Sequence, residues 1–262
     1  MKVNPEQISS FQELPSDKRI YFASDFHLGA PNEKESLDRE LKIIRWLQHV
    51  SKDAAAIFLV GDIFDFWFEY KSTIPKGFIR FQGKLAELRD NGIPIIFFAG
   101  NHDMWMRNYF PNQLNIPVYK NPATLTVNNT KIFVGHGDGL GPGDKTYKFL
   151  KKLFSNRLLQ GLFQWIHPNI GVWVAKSWAD SSRDFSDQRS DTIDLSKERL
   201  FQFCEDIENN SHHDLYIFGH RHHPLELKVS ENSTYFNLGE WINHCTYLEF
   251  DGKKAALKVF ED

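Results

Sequence analysis

Short apolar runs in this 262-residue sequence are repeatedly followed by clusters of aspartate, asparagine and histidine. Five such clusters occur in order: Asp25-Phe26-His27, Gly61-Asp62-Ile63-Phe64-Asp65, Gly100-Asn101-His102-Asp103, Gly135-His136-Gly137-Asp138 and Gly219-His220-Arg221-His222. Oxygen and imidazole ligands without thiolate suit Mn²⁺, Fe²⁺ or Zn²⁺. The sequence therefore predicts a site for divalent metal ions, with Mn²⁺ as the first choice.

The spacing within the clusters indicates how the side chains converge. Asp25 and His27 are two residues apart, and so are His220 and His222, so each pair projects to one side of an extended backbone. The pooled side chains suffice for two ions that share Asp62. We assign one ion to Asp25, His27, Asp62 and His222, and the other to Asp62, Asn101, His136 and His220.

Two such ions, about 3.5–4 Å apart, lower the pKa of a bridging water and stabilise the attacking and leaving oxygens of a phosphate. The predicted reaction is metal-dependent phosphoester or phosphoanhydride hydrolysis without a side-chain nucleophile. His102 is predicted to be a general acid, with Asp103 or a neighbouring carboxylate holding its ring. The alternative for His102 is a structural hydrogen bond beside the metals. Asp65 and Asp138 are predicted to orient the ligands.

Each of these residues has a simpler explanation when it is taken singly. An Asp-x-His element is more often a cap or a turn, and a single histidine is usually structural. Five clusters that each follow an apolar run favour the metal site, because a strand context is the test that such a motif requires.

The apolar runs predict the elements that position these clusters. Runs of this length between turn residues are typical of buried strands, here residues 20–23, 55–60, 93–99, 132–134 and 215–218. The helical spacing of residues 34–50 and 78–89 predicts helices between them. Hairpins are predicted around Asn128-Asn129 and Asp251-Gly252. The predicted fold class is α/β with mixed sheets.

Residues 146–178 form a separate apolar stretch with interleaved lysines. The helical spacing up to Ile166 predicts a basic amphipathic helix, and a second apolar piece follows Pro168. A helical hairpin packed on the core is the simpler interpretation. The alternative is a lid for an amphipathic substrate, in which Phe149, Leu153 and Phe154 contact the lipid.

Composition limits the remaining possibilities. The length and the 41 % hydrophobic content predict one domain, residues 1–262, with an insertion. A net charge of −3 argues against broad nucleic-acid binding. The two cysteines, Cys204 and Cys245, predict neither a disulfide framework nor a thiolate site. The N-terminus does not resemble a secretory signal, and we expect a cytoplasmic protein.

In the types and order of its five clusters, the chain resembles the calcineurin-like metallophosphoesterases. That family implies a four-layer α-β-β-α sandwich, with two mixed sheets between helices, and a dinuclear metal site. The closer resemblance, over nearly the whole chain, is to the UDP-2,3-diacylglucosamine hydrolase family of lipid A biosynthesis. It is carried by residues 24–28, 61–67, 100–110, 136–147, 219–224 and 238–241.

This resemblance implies a substrate and its contacts. The family splits UDP-2,3-diacylglucosamine into UMP and 2,3-diacylglucosamine 1-phosphate, and a helical lid insertion, here residues 145–200, covers the acyl chains. The implied polar contacts are Asn101, His102, Asp144, Ser181, Ser182 and Arg183. Well-studied members have arginine where this chain has His102. The basic amphipathic face of the insertion predicts peripheral contact with the anionic cytoplasmic face of the inner membrane.

Two alternatives stay open from the sequence. One keeps the chemistry but changes the substrate to a nucleotide, a phosphoprotein or another lipid diphosphate, of which a phosphoprotein fits a closed apolar lid least well. The other is a scaffold with this fold and an inactive site, which is disfavoured because every expected ligand position is filled. The sequence does not determine the oligomeric state.

Overall fold

The computed structural model describes residues 5–8, 13–143, 145–171 and 198–261, and within them the strands form two six-stranded mixed sheets. The first sheet contains β1 (Glu6–Gln7), β6 (Ala123–Val127), β7 (Thr130–Gly135), β8 (Leu215–Phe218), β9 (Pro224–Lys228) and β10 (Thr234–Leu238), in the order β1-β6-β7-β8-β10-β9. The second contains β2 (Arg19–Ala23), β3 (Ala54–Val60), β4 (Ile95–Phe98), β5 (Val118–Tyr119), β11 (Thr246–Phe250) and β12 (Ala255–Val259), in the order β12-β11-β2-β3-β4-β5.

The two sheets pack face to face through one hydrophobic core. Phe22 and Phe58 of the second sheet belong to the same buried cluster as Leu125, Val134 and Phe236 of the first. The central strands β2 and β3 are therefore covered on both faces. Such burial explains why they are continuous apolar runs rather than alternating patterns.

Helices cover the outer faces. The helices of the described residues are α1 (Glu33–Val50), α2 (Ile79–Asp90), α3 (Tyr109–Leu114), α4 (Lys145–Phe154), α5 (Arg157–Phe163) and α6 (Arg199–Glu208), of which α1, α2 and α6 provide this cover. α1 and α2 pack on the second sheet, and α6 packs on the first through Leu200 and Phe203. The predicted four-layer α-β-β-α arrangement is confirmed.

Most of the predicted elements are confirmed with small changes at their ends. The five predicted strands are β2, β3, β4, β7 and β8, and the two predicted helices are α1 and α2. Both hairpins form, β6 with β7 and β11 with β12. Asn32 begins α1, because its side chain accepts the Glu35 backbone N–H at 3.0 Å.

The single amphipathic helix predicted up to Ile166 is wrong. The chain forms α4 and α5 instead, because the Asn156 side chain accepts the backbone N–H groups of Leu158 at 2.9 Å and Leu159 at 3.3 Å and so begins a new helix. None of the helices in the described part of the chain is long and apolar enough to cross a bilayer.

α4 and α5 present two different faces. On the inner face, the Phe163 ring lies 4.8 Å from Phe68 and 4.9 Å from Trp105, and the Trp105 indole donates to the Phe154 carbonyl at 2.9 Å. On the outer face, Phe149 is 66 % and Leu153 is 41 % exposed. Leu158 and Leu162 of α5 and Trp165 just after it are exposed as well. Packing on the core and an uncovered apolar surface therefore coexist in this segment.

Candidate metal centre

All five clusters lie at the carboxyl ends of their strands. Asp25 follows β2, Asp62 follows β3 and Asn101 follows β4, and these three strands are parallel neighbours. His136 follows β7 and His220 follows β8, and these two strands are parallel neighbours in the other sheet. Because the two sheets pack together, polar groups from both meet at one edge, where open α/β sheets place their ligands.

The backbone at this edge is strained in a repeated way. Left-handed φ values occur at Asp25 (56°), His27 (44°), Asp62 (51°), His220 (67°) and His222 (58°). Residues other than glycine rarely adopt this conformation, which persists where surrounding contacts enforce it. Such strain concentrates at functional sites.

Asp25 uses its two carboxylate oxygens differently. Oδ2 accepts a hydrogen bond from the Ser24 hydroxyl at 2.5 Å and another from the His220 backbone N–H at 3.0 Å. Oδ1 is buried and has no hydrogen-bond donor among the described residues. It lies 3.2 Å from His222 Nε2 and 3.8 Å from His27 Nε2. Oδ1 is therefore the atom that Asp25 offers to a ligand.

Asp62 shows the same division. Its Oδ1 accepts the His102 backbone N–H at 2.8 Å. Its Oδ2 lies 3.2 Å from His136 Nε2 and 4.0 Å from His27 Nε2, between the two groups of imidazoles. The backbone also joins the first two clusters, because His27 N–H donates to the Asp62 carbonyl at 3.0 Å. A single Asp62 oxygen can thus serve both halves of the site.

The remaining side chains complete two groups that could each hold an ion. Nδ1 of His136 donates to the Val60 carbonyl at 2.9 Å, which orients the ring so that Nε2 faces Asn101 Oδ1 at 3.3 Å. His27 Nε2 and His222 Nε2 face each other at 3.1 Å. One group consists of Asp25, His27 and His222, and another of Asp62, His136 and His220; a third group, of His27, Asp65 and His102, overlaps the first. These buried clusters are consistent with a dinuclear metal site.

The electrostatics of the site favour bound cations. Burial lowers the pKa of His27, but the nearby carboxylates of Asp25, Asp65 and Asp62 raise it to about 10. Burial also lowers the pKa of His136, and the charge of Asp62 raises it to about 10. The carboxylates therefore draw positive charge into the centre. Burial and the charge of His136 lower the pKa of His220 to about 4, so that imidazole is neutral, as a metal ligand must be.

Two glycines allow the loops to approach closely. A Cβ on Gly61, whose φ is +84°, would lie 2.5 Å from His136 Nδ1. A Cβ on Gly100 would overlap the Asp62 carboxylate. Glycine at both positions follows from the convergence of the loops.

The sequence leaves open whether Asp103 or a neighbouring carboxylate holds the His102 ring, and the structure distinguishes the two. The Asp103 carboxylate accepts backbone N–H groups of Ile63 at 2.8 Å and Gly100 at 2.7 Å, and so joins the loops after β3 and β4. The His102 ring lies beside Asp65 instead, with Nδ1 2.9 Å from the Asp65 carbonyl and 3.8 Å from its carboxylate. The structure therefore places Asp65, rather than Asp103, beside the His102 ring.

Asp138 connects the site to the insertion. Its carboxylate accepts the Tyr147 hydroxyl at 2.7 Å and pairs with Lys151 Nζ at 2.6 Å. Both partners belong to α4, and Asp138 is two residues after His136. The sequence predicts only that Asp138 orients a ligand, because residue spacing does not show that Tyr147 and Lys151 of α4 fold back onto it.

Several predicted substrate contacts cannot be located in the described part of the chain. Asp144, Ser181, Ser182 and Arg183 lie outside the described residues. Phe149 and Leu153 lie on the outer apolar face, whereas Phe154 packs against the Trp105 ring with centroids 6.0 Å apart. Phe154 therefore contributes to docking the helix on the core.

Comparison with known proteins agrees with this geometry. The family model described as calcineurin-like phosphoesterase matches residues 18–224, and the chain belongs to this family. It is a metal-dependent phosphoesterase with aspartate and histidine metal-binding groups.

Curated relatives of the chain are similar to it over nearly its whole length and carry the name of one enzyme. A UDP-2,3-diacylglucosamine hydrolase from Porphyromonas gingivalis is 34 % identical over 93 % of this chain and 98 % of the relative. One from Vibrio atlanticus is 26 % identical over 92 % and 96 % of the two chains. Among solved structures, an uncharacterized protein from Streptococcus pneumoniae, described as a predicted phosphoesterase, has a TM-score of 0.43 and 15 % identity over 92 % of this chain and 89 % of that chain, a similarity too low to support any inference.

Replacing Asp62 by alanine tests the shared carboxylate. We expect Asp62→Ala to lose both metal content and turnover, because one oxygen lies between the two groups and its removal leaves two cations less compensated. Metal analysis and a phosphodiesterase assay measure the two losses together. Asp251→Ala, which removes a carboxylate that caps a distant hairpin turn, is the control. Retention of two tightly bound ions in Asp62→Ala would show that another residue is the bridge.

Proposed function

We propose that this protein hydrolyses the diphosphate of UDP-2,3-diacylglucosamine to UMP and 2,3-diacylglucosamine 1-phosphate. The observation that carries this proposal is the direct attachment of an amphipathic helix to the metal centre. α4 is held to Asp138 by Tyr147 and Lys151, and it exposes Phe149 and Leu153. A site for phosphate chemistry therefore adjoins an apolar surface that could cover acyl chains. The name of the P. gingivalis relative supports the same substrate.

The metal ligands of the proposal are those that the two groups bring together. Asp25 Oδ1, His27 and His222 would hold one ion, His136, His220 and Asn101 Oδ1 the other, and Asp62 Oδ2 both. The unpartnered Asp25 Oδ1 and the facing imidazole nitrogens fit such ions, with Mn²⁺ the first choice for this oxygen and nitrogen set. When bound, two divalent cations supply an activated water and charge stabilisation at the phosphate.

His102 is proposed to handle the leaving-group proton. With Nδ1–H donating to the Asp65 carbonyl, the ring is fixed and Nε2 is directed away from that bond. A protonated Nε2 can donate to an oxygen of the departing phosphate. The Asp103 carboxylate supports the site indirectly, since it fixes the two loops that carry Asp62 and Asn101.

The insertion, residues 145–200 of a single domain, is proposed to bind the acyl chains. Lys148 and Lys151 bind the Gly141 carbonyl and the Asp138 carboxylate, and it is Lys152, exposed three residues after Phe149, that adds positive charge to the apolar outer face of α4. Such a basic amphipathic surface can also rest on anionic lipid. We propose peripheral contact with the cytoplasmic face of the inner membrane, from which the substrate would enter the site.

A substrate panel tests the proposal directly. Purified protein with Mn²⁺ should release UMP from UDP-2,3-diacylglucosamine and leave UDP-glucosamine, cyclic nucleotides and p-nitrophenyl phosphate nearly unchanged. Chromatographic detection of UMP measures the reaction. A faster reaction with a non-acylated nucleotide or a simple phosphodiester would overturn the assignment of the substrate while leaving the phosphoesterase chemistry intact.

His102→Ala separates proton transfer from metal binding. We expect turnover to fall roughly 10²–10⁴-fold, because a positioned general acid contributes about this much. Metal content should stay normal, since the His102 backbone N–H that binds Asp62 is retained in alanine. Turnover and metal content are measured on the same preparation. Metal loss in this variant would make His102 a structural residue.

The double variant Phe149→Ser with Leu153→Ser tests the apolar face. We expect the KM for the diacylated substrate to rise at least about tenfold, because burying one such side chain is worth roughly 1.5–3 kcal/mol. The kcat/KM for a small phosphodiester should be unchanged. Ile79→Ser on α2, where the side chain is 76 % exposed, is the matched control. Equal losses on both substrates would assign this face to folding rather than to lipid binding.

A further inference from the structure

Residues 238–245, here called the Trp241 turn, have no role in the chemistry so far, although part of this segment carried the family resemblance. The turn follows β10 and contacts the backbone of Asp25, because Trp241 N–H donates to the Asp25 carbonyl at 3.1 Å. Asp25 N–H donates to the Gly61 carbonyl at 3.0 Å. The carbonyl, the backbone N–H and Oδ2 of Asp25 are therefore all hydrogen-bonded. Asp25 Oδ1 is the remaining polar atom, and it is directed into the metal centre.

The Trp241 side chain also packs against the segment Asp25–His27, on its buried side. Phe26 lies between the two ligands Asp25 and His27, and its ring packs edge-on against Trp241 with centroids 5.2 Å apart. The indole itself is fixed, since its N–H donates to the Thr246 carbonyl at 2.9 Å and its ring lies 5.1 Å from Trp46. Trp241 therefore holds both the backbone and the buried side chain of the element that carries two ligands.

Glu240 determines the shape of the turn. Its carboxylate is buried and accepts backbone N–H groups from Ile242, from Asn243 at 2.9 Å and from His244 at 2.9 Å. It also binds His244 Nδ1 at 2.6 Å. A carboxylate that binds successive N–H groups fixes a turn in the way that a cap fixes a helix end.

The turn also borders the third ligand of the same group. Leu238 pairs with Pro224 in the β9–β10 ladder, and Pro224 follows His222 by two residues. The His244 ring lies 6.3 Å from His223. The segments that carry Asp25, His27 and His222 thus all adjoin the Trp241 turn. Of the other group, His220 lies on the same loop as His222 but directly after β8, and Asp62 and His136 extend from β3 and β7.

We propose that Glu240 and Trp241 are positioning residues that hold Asp25, His27 and His222 in place for one of the two metal ions and leave the other ion unaffected. This inference rests on the proposed metal centre. Partners outside the ligand shell commonly change metal affinity 10–100-fold when they are replaced. Loss of the turn should therefore weaken one ion selectively, by about that factor.

The test is Mn²⁺ binding to Glu240→Ala, with Glu208→Ala as the matched control. Glu208 is also a mostly buried carboxylate that accepts several hydrogen bonds, among them His212 Nδ1 at 2.7 Å and Tyr216 Oη at 2.7 Å, four residues before its histidine just as Glu240 precedes His244. Glu208 lies at the end of α6, on the outer face of the first sheet, and its carboxylate hydrogen bonds are to His212, His213, Tyr216, Ser230 and Ser233 rather than to proposed ligands. Thermal unfolding shows whether the two variants lose comparable stability.

At a Mn²⁺ concentration about ten times the wild-type Kd, a 10–100-fold loss of affinity should leave the weakened site of Glu240→Ala about half filled or less, so the electron paramagnetic resonance spectrum of an isolated Mn²⁺ should appear. Asp25→Asn provides the reference spectrum for loss of that ion. Glu208→Ala should keep two ions and the coupled spectrum of the wild type. Trp241→Phe keeps an aromatic ring in the core and should weaken the binding of the same ion. It replaces Glu240→Ala in the test if Glu240→Ala does not fold.

Two bound ions in both turn variants would overturn the inference, and so would an equal loss of metal in Glu208→Ala, which would make the effect one of general stability. A wild-type chain that holds fewer than two ions would instead overturn the metal centre, and the inference with it. Normal metal content with reduced turnover in Glu240→Ala would likewise contradict a positioning role toward the metal.

Discussion

The burial of two carboxylates, Asp25 and Asp62, is the constraint on which the rest of this structure depends. An ionised carboxylate is unfavourable away from water unless hydrogen bonds or opposite charges compensate it. Hydrogen bonds from neighbouring loops satisfy one oxygen of each residue, and imidazoles face the other. Nearby histidines lower the pKa of both carboxyl groups despite their burial. The centre therefore holds negative charge that bound cations can neutralise.

This division of each carboxylate links the site to the fold. The donors to the structural oxygens come from different strand ends: His220 N–H binds Asp25, and His102 N–H binds Asp62. Each ligand loop is therefore fixed by a loop from another part of the chain. The left-handed backbone at five ligand positions is tolerated because these contacts enforce it.

The insertion adds a different kind of surface to the same centre. α4 is tied by Tyr147 and Lys151 to Asp138, near His136, while α5 docks through Phe163 on Phe68 and Trp105. The sheets provide the chemistry and the helices provide an apolar face at its margin. Such a division would allow the proposed lipid substrate to be bound without a change in the metal ligands, because the ligands and the apolar face are different residues.

The sequence by itself determined the features that depend on local pattern. Five ligand clusters, the strands before them, the helices α1 and α2 and both hairpins were predictable, because apolar runs and turn residues carry that information within a few positions. The tertiary structure decided which carboxylate oxygen faces the site, that Asp65 rather than Asp103 lies beside the His102 ring, and that Trp241 contacts Asp25. It also showed the break at Asn156, where a local cap interrupts an otherwise continuous apolar stripe. These features depend on which atoms of distant loops approach one another when the two sheets pack. Local residue spacing does not determine such contacts, because the partners are far apart in the sequence.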